Sequence, residues 1–114
     1  MKKTIFTTAA AAILAAGPAA ATEQVKIGQL SWDGALAIQH ILKTVIEENF
    51  DAEVRFVPVE TQVAYTAMDR GDGSLDVYPD LWMPNDAALW EEYIAEGSRE
   101  TVVVGNEPYV GTQG

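Results

Sequence analysis

The sequence contains no cysteine and a single histidine in 114 residues. Without cysteine there is no disulfide scaffold, no thiolate metal site and no thiol nucleophile, so the fold must be held by packing alone. The lone histidine, His40, lies mid-helix between Ile38 and Ile41, where a surface or locally satisfied imidazole is expected rather than a metal ligand. Basic residues are scarce too: seven Lys and Arg stand against seventeen Asp and Glu, a formal charge of −10. A surface that acidic argues against nucleic acid, whose binding rests on neutralising phosphates with Lys and Arg. It suits a cationic partner, or simply solubility. Nucleotide-cradling patterns are missing as well, since Gly71 and Gly73 mark a turn and not a G-x-G-x-x-G or Walker loop. No cofactor is expected.

Long apolar runs are also absent: nothing reaches the roughly 20 residues a membrane helix needs. The first 21 residues, MKKTIFTTAAAAILAAGPAAA, read instead as a secretory signal. Lys2 and Lys3 form its charged start, an Ala-rich stretch follows, and Ala19 to Ala21 give a small-x-small cleavage site. With no cysteine at that site a lipid anchor is not available, and a periplasmic address is expected. Losing Lys2 and Lys3 takes the formal charge from −10 to −12. Residues 22–114 are then the exported domain.

Along this domain the hydrophobic period alternates. VKIGQL (Val25 to Leu30) reads as a strand, and the segment after it places Ile38, Ile41, Leu42, Val45 and Ile46 at helical spacing, with Asp33 in the first turn. EVRFVPV (Glu53 to Val59) is a second strand. The helix after it carries Val63, Ala64, Ala67 and Met68, and Gly71 ends it. LDVY is a third strand. Asn85 or Asp86 caps a third helix with Leu89, Trp90, Tyr93 and Ile94 on its apolar side and Gly97 at its close. TVVVG (Thr101 to Gly105) is a fourth strand. This βαβαβαβ order predicts an α/β fold, a parallel sheet with helices on both faces.

Ligands of open parallel sheets bind beyond the carboxyl ends of the strands. Trp32 and Trp82 both fall at that rim. Indole faces attract cations and suit quaternary ammonium groups, which cannot donate a hydrogen bond. The start of the first helix, at Gly34, Ala35 and Leu36, offers backbone N–H groups to an anionic end. A zwitterion with a methylated ammonium and a carboxylate would match both. The acidic cluster Asp69, Asp72, Asp76 and Asp80 lacks the spacing and closing Glu of a calcium loop and reads as turn and solvated surface. No metal site is expected.

IGQLSWDGALA, YTAMDRGDGSLDV and above all DLWMPN resemble the substrate-binding proteins of the glycine betaine, choline and proline family of ABC importers. The resemblance runs from Val25 to the C-terminus, and its strongest element is the D-x-W-x-P pattern at Asp80, Trp82 and Pro84. It implies the two-lobed periplasmic-binding-protein fold, a betaine or choline-type ligand, and an inner-membrane permease and ATPase as partners. It implies Trp82 as a cage residue and Ala35 and Leu36 as backbone donors, with Trp32 beside them. It also implies a longer chain, so residues 22–114 are expected to be an incomplete first lobe, with NEPYVGTQG approaching the crossing to the second.

Blander readings remain open. Trp82 by composition alone is equally a core filler at a strand end, Trp90 keeps the spacing of a packing residue, and Tyr78 ends a strand. An enzyme would need a nucleophile or an acid–base pair. There is no G-x-S-x-G elbow and no histidine near a rim loop, which leaves only carboxylates such as Asp80 and Asp86. No catalysis is expected. The other alternative is an exported half-lobe that oligomerises or pairs with another chain through an open sheet edge.

Overall fold

The computed structural model describes residues 22–105. The expected signal sequence, its expected cleavage site and the segment NEPYVGTQG lie outside them. Two strands and three helices follow in the order β1 (Glu23–Gln29), α1 (Asp33–Asn49), β2 (Ala52–Pro58), α2 (Thr61–Arg70) and α3 (Ala87–Tyr93). β1 and β2 pair in parallel, with Glu23 opposite Ala52 and Gln29 opposite Pro58. Parallel neighbours need a crossover connection, and α1 supplies it.

Side chains alternate across a strand, so neighbouring residues report on opposite faces of the sheet. Phe56 meets His40 of α1 edge to face, with ring centroids 4.9 Å apart. Val57 packs on the other side, against the cluster of Ala64 and Ala67 from α2 with Leu75. The first two helices therefore cover opposite faces, as the alternating sequence pattern predicts.

The stripe that α1 buries is shifted from the expected one. Ala35 and Gln39 are fully buried, whereas Ile41 is 62% and Val45 48% exposed. Ala35, Ile38, Gln39, Leu42 and Ile46 recur at three- and four-residue steps and form one face; Ile41 and Val45 fall about 100° away from it. The Gln39 side chain accepts the Leu30 N–H at 3.3 Å, and its own Nε2 has no partner. Gln39→Met deletes an orphan donor and a useful acceptor together. These effects oppose and are similar in size. Urea denaturation should show a net stability change below about 1 kcal/mol, and a loss above about 3 kcal/mol would contradict the unpartnered Nε2.

In α2 the expected stop is found. Gly71 adopts φ 61°, the left-handed conformation a side chain disfavours, and its N–H bonds back to the Met68 carbonyl. α3 begins after Asp86 and ends at Tyr93, short of Gly97.

The third and fourth strands are not formed. LDVY contributes one parallel bridge, Val77 to Ile27, with Gly28 N–H donating to the Val77 carbonyl at 2.9 Å. The Asp76 carboxylate takes the Lys26 N–H at 2.8 Å, a donor that a continuing ladder would use, and Pro79 has no N–H to offer. Thr101 to Gly105 runs against the helices. The Thr101 hydroxyl donates to Asp69 at 2.7 Å, Arg99 pairs with the same carboxylate, and Val102 N–H reaches the Tyr93 carbonyl at 3.3 Å. These polar groups bond away from the sheet, and Val103 is 90% exposed. The βαβαβαβ expectation is thus corrected to a small α/β unit with a two-stranded parallel sheet and one bridge.

Candidate functional site

The rim beyond the carboxyl ends of β1 and β2 carries a cleft of about 230 Å³. Gln29, Ser31 and Trp32 line it from the end of β1 and the connection to α1, and Pro58, Glu60 and Thr61 from the end of β2, the connection and the start of α2. A second depression, on His40, Ile41, Thr44 and Val45, belongs to one helix surface and brings no two elements together.

Trp32 is the N-cap residue of α1, in extended conformation, and is 37% exposed. Its indole Nε1–H donates to Asp80 Oδ2 at 2.7 Å. The Trp82 indole donates to the same oxygen at 2.8 Å. Two tryptophans far apart in sequence are therefore held with their ring nitrogens within two hydrogen-bond lengths of each other. The oxygen between them belongs to a residue only 4% exposed. A buried carboxylate needs hydrogen bonds to replace water, and these indoles supply two of them.

Trp82 stands in a turn that is closed independently of its ring. Its N–H donates to Asp86 Oδ2 at 2.9 Å, and its carbonyl accepts the Asp86 N–H at 2.7 Å. The Met83–Pro84 bond inside this turn is cis. Below the turn, Tyr65, Tyr78 and Tyr93 form a ring cluster, with Tyr65 centroids 5.3 Å from Tyr78 and 5.8 Å from Tyr93. Burial, then the charge of Asp86 and the neighbouring Tyr78, push the Tyr65 phenol far above its ordinary range. Tyr78 is raised as well, chiefly by burial, although the Thr61 hydroxyl at 2.9 Å opposes the shift.

At the start of α1, Gly34 is exposed, Ala35 buried and Leu36 half-buried. Helix geometry gives the N–H groups of Gly34 and Ala35 no intrahelical acceptor. The Leu36 N–H makes the first bond of the helix, to the Trp32 carbonyl at 3.0 Å. The backbone donors and the Trp32 ring thus leave the same loop.

The acidic cluster divides, and the reading of all four as turn and solvated surface is corrected for Asp80, which is buried, and for Asp69, which is half-buried in α2. Asp76 is exposed and holds Lys26 N–H. Asp72 accepts the Ser74 N–H at 2.9 Å, and Ser74 keeps its carboxyl below the usual range. Asp69 anchors Arg99 and Thr101. Asp80 is the one of the four that is buried. Only its place in the D-x-W pattern, two residues before Trp82, sets it apart in the sequence. Among the described residues no group of His, Asp and Glu could hold a metal ion, and no helix is long and apolar enough to cross a membrane.

A family model described as the substrate binding domain of ABC-type glycine betaine transport systems matches residues 23–114. No curated protein and no solved structure matches the chain.

Proposed function

The chain belongs to the family of substrate-binding domains of ABC-type glycine betaine transport systems, and we propose on that premise that it binds glycine betaine or a related quaternary amine, such as choline or proline betaine. The observation that carries this reading is the convergence of Trp32 and Trp82 on one buried carboxylate at the sheet rim. Their indole faces take the methylated ammonium, each worth about 0.5–2 kcal/mol according to how dry the contact is. The first turn of α1 takes the carboxylate end, through the N–H groups of Gly34 and Ala35 and the Leu36 N–H shared with Trp32. Binding alone is required of these residues, with no bond made or broken.

The leader at residues 1–21 exports this domain to the periplasm, where, as part of the first of two lobes, it contributes to holding ligand for delivery to a membrane permease driven by an ATPase. Calorimetric titration with glycine betaine, choline and unmethylated glycine tests the ligand class. The two methylated ligands should bind and glycine should not. Equal affinity for all three would reject the aromatic cage.

A further inference from the structure

Resting on that reading, we propose that Asp80 is a specificity-determining residue, the group that makes the site select a positive charge over a neutral group of the same shape. An aromatic cage distinguishes an ammonium from its carbon isostere only through the ring quadrupole, since both present the same methyl surface to the rings. A carboxylate beside the rings adds a full charge. Both indoles direct their N–H edges at Asp80 Oδ2, so the positive edge of each ring is turned to the carboxylate and away from any cation on its faces.

A cation seated within about 6 Å of either ring centroid lies close to that oxygen. With Asp80 only 4% exposed, its charge is screened less than that of a surface carboxylate. The N–H donors are neutral, so their hydrogen bonds orient the carboxylate without cancelling its charge. One side chain thus performs two tasks. It fixes the angle between the two rings, and it sets the sign of the ligand they accept.

The two tasks separate experimentally. Asp80→Asn keeps a side-chain oxygen for the indoles and removes the charge. The probes are choline and its neutral isostere 3,3-dimethylbutan-1-ol, titrated into the chain while the indole N–H resonances report whether the rings stay in place. The unaltered chain should prefer choline, and Asp80→Asn should lower that preference about tenfold with isostere affinity unchanged. A preference that survives Asp80→Asn with the indole resonances in place would overturn the proposal and reduce Asp80 to a support for the rings.

Trp32→Phe removes one donor and leaves the carboxylate, which supplies a test independent of how Asp80→Asn folds. Choline affinity should fall there while the preference over the isostere persists. Loss of that preference would also overturn the proposal. If neither probe binds the unaltered chain, the quaternary-amine reading itself fails, a result distinct from either of these.

Discussion

Trp82→Ala should weaken binding of glycine betaine or choline by about tenfold, and by up to about thirtyfold if the contact is dry. The estimate assumes the loss of one indole face and no collapse of the loop. That assumption is supported by the turn, whose closing bonds run from the Trp82 main chain to Asp86 and not from the ring. Trp90 provides the control: it is half-buried in α3 and makes no bond to Asp80. Trp90→Phe should leave affinity unchanged. Titration calorimetry distinguishes the two variants, and an unchanged affinity in Trp82→Ala would remove that ring from the ligand.

The largest effect on stability is expected at Tyr65. Its side chain is 1% exposed and contacts the rings of Tyr78 and Tyr93, so it joins α2 to the segment after the sheet and to α3. Truncating a buried aromatic to Ala loses its transfer free energy and leaves a cavity, for about 3–5 kcal/mol. Small domains have only about 5–15 kcal/mol in total. Urea unfolding of Tyr65→Ala should therefore begin at or near zero denaturant, and a loss below about 1 kcal/mol would show that the cluster does not hold the fold together.

Tyr65 also carries a pH signature. The unfolded phenol ionises near 10, and the folded phenol is raised above that by burial first and by Asp86 second. Its contribution is therefore complete below about pH 10 and is lost as pH rises toward the folded value. Tyr65→Phe, which keeps the ring, should remain folded at neutral pH and lose stability less steeply in alkali. Tyr78, raised in the same direction, contributes to the slope that remains.

Local pattern conveyed much of this architecture. Both strands, all three helices and the Gly71 stop follow from hydrophobic period and turn chemistry, with boundaries displaced by one or two residues except at the end of α3, which stops at Tyr93 well short of Gly97. The failures share a cause. A strand forms only where its backbone groups find a ladder, and neither LDVY nor TVVVG announces what interrupts it: the Asp76 side chain takes the Lys26 N–H in one case, and Thr101 and Val102 bond to Asp69 and Tyr93 in the other. Gln39 is similar: the pattern counts a polar residue as outward, whereas the Leu30 N–H draws it in.

Of the proposed site, the sequence singled out the two aromatic residues. Trp32 and Trp82 were expected at the rim because two strand ends lead there, and the structure brings their ring nitrogens to one atom. Asp80 was hidden among three acidic neighbours, of which Asp72 and Asp76 are exposed and Asp69 is half-buried in α2. Composition cannot tell a solvated carboxylate from one that two indoles enclose. That distinction depends on a contact between residues 48 positions apart.

The most direct test is a proton–nitrogen correlation spectrum of the isotope-labelled chain during titration with glycine betaine, since each of its three tryptophans gives one indole signal. The account predicts that the Trp32 and Trp82 signals shift together along one binding curve while that of Trp90 stays in place. A titration that moves neither rim tryptophan, or that moves only Trp90, would contradict it.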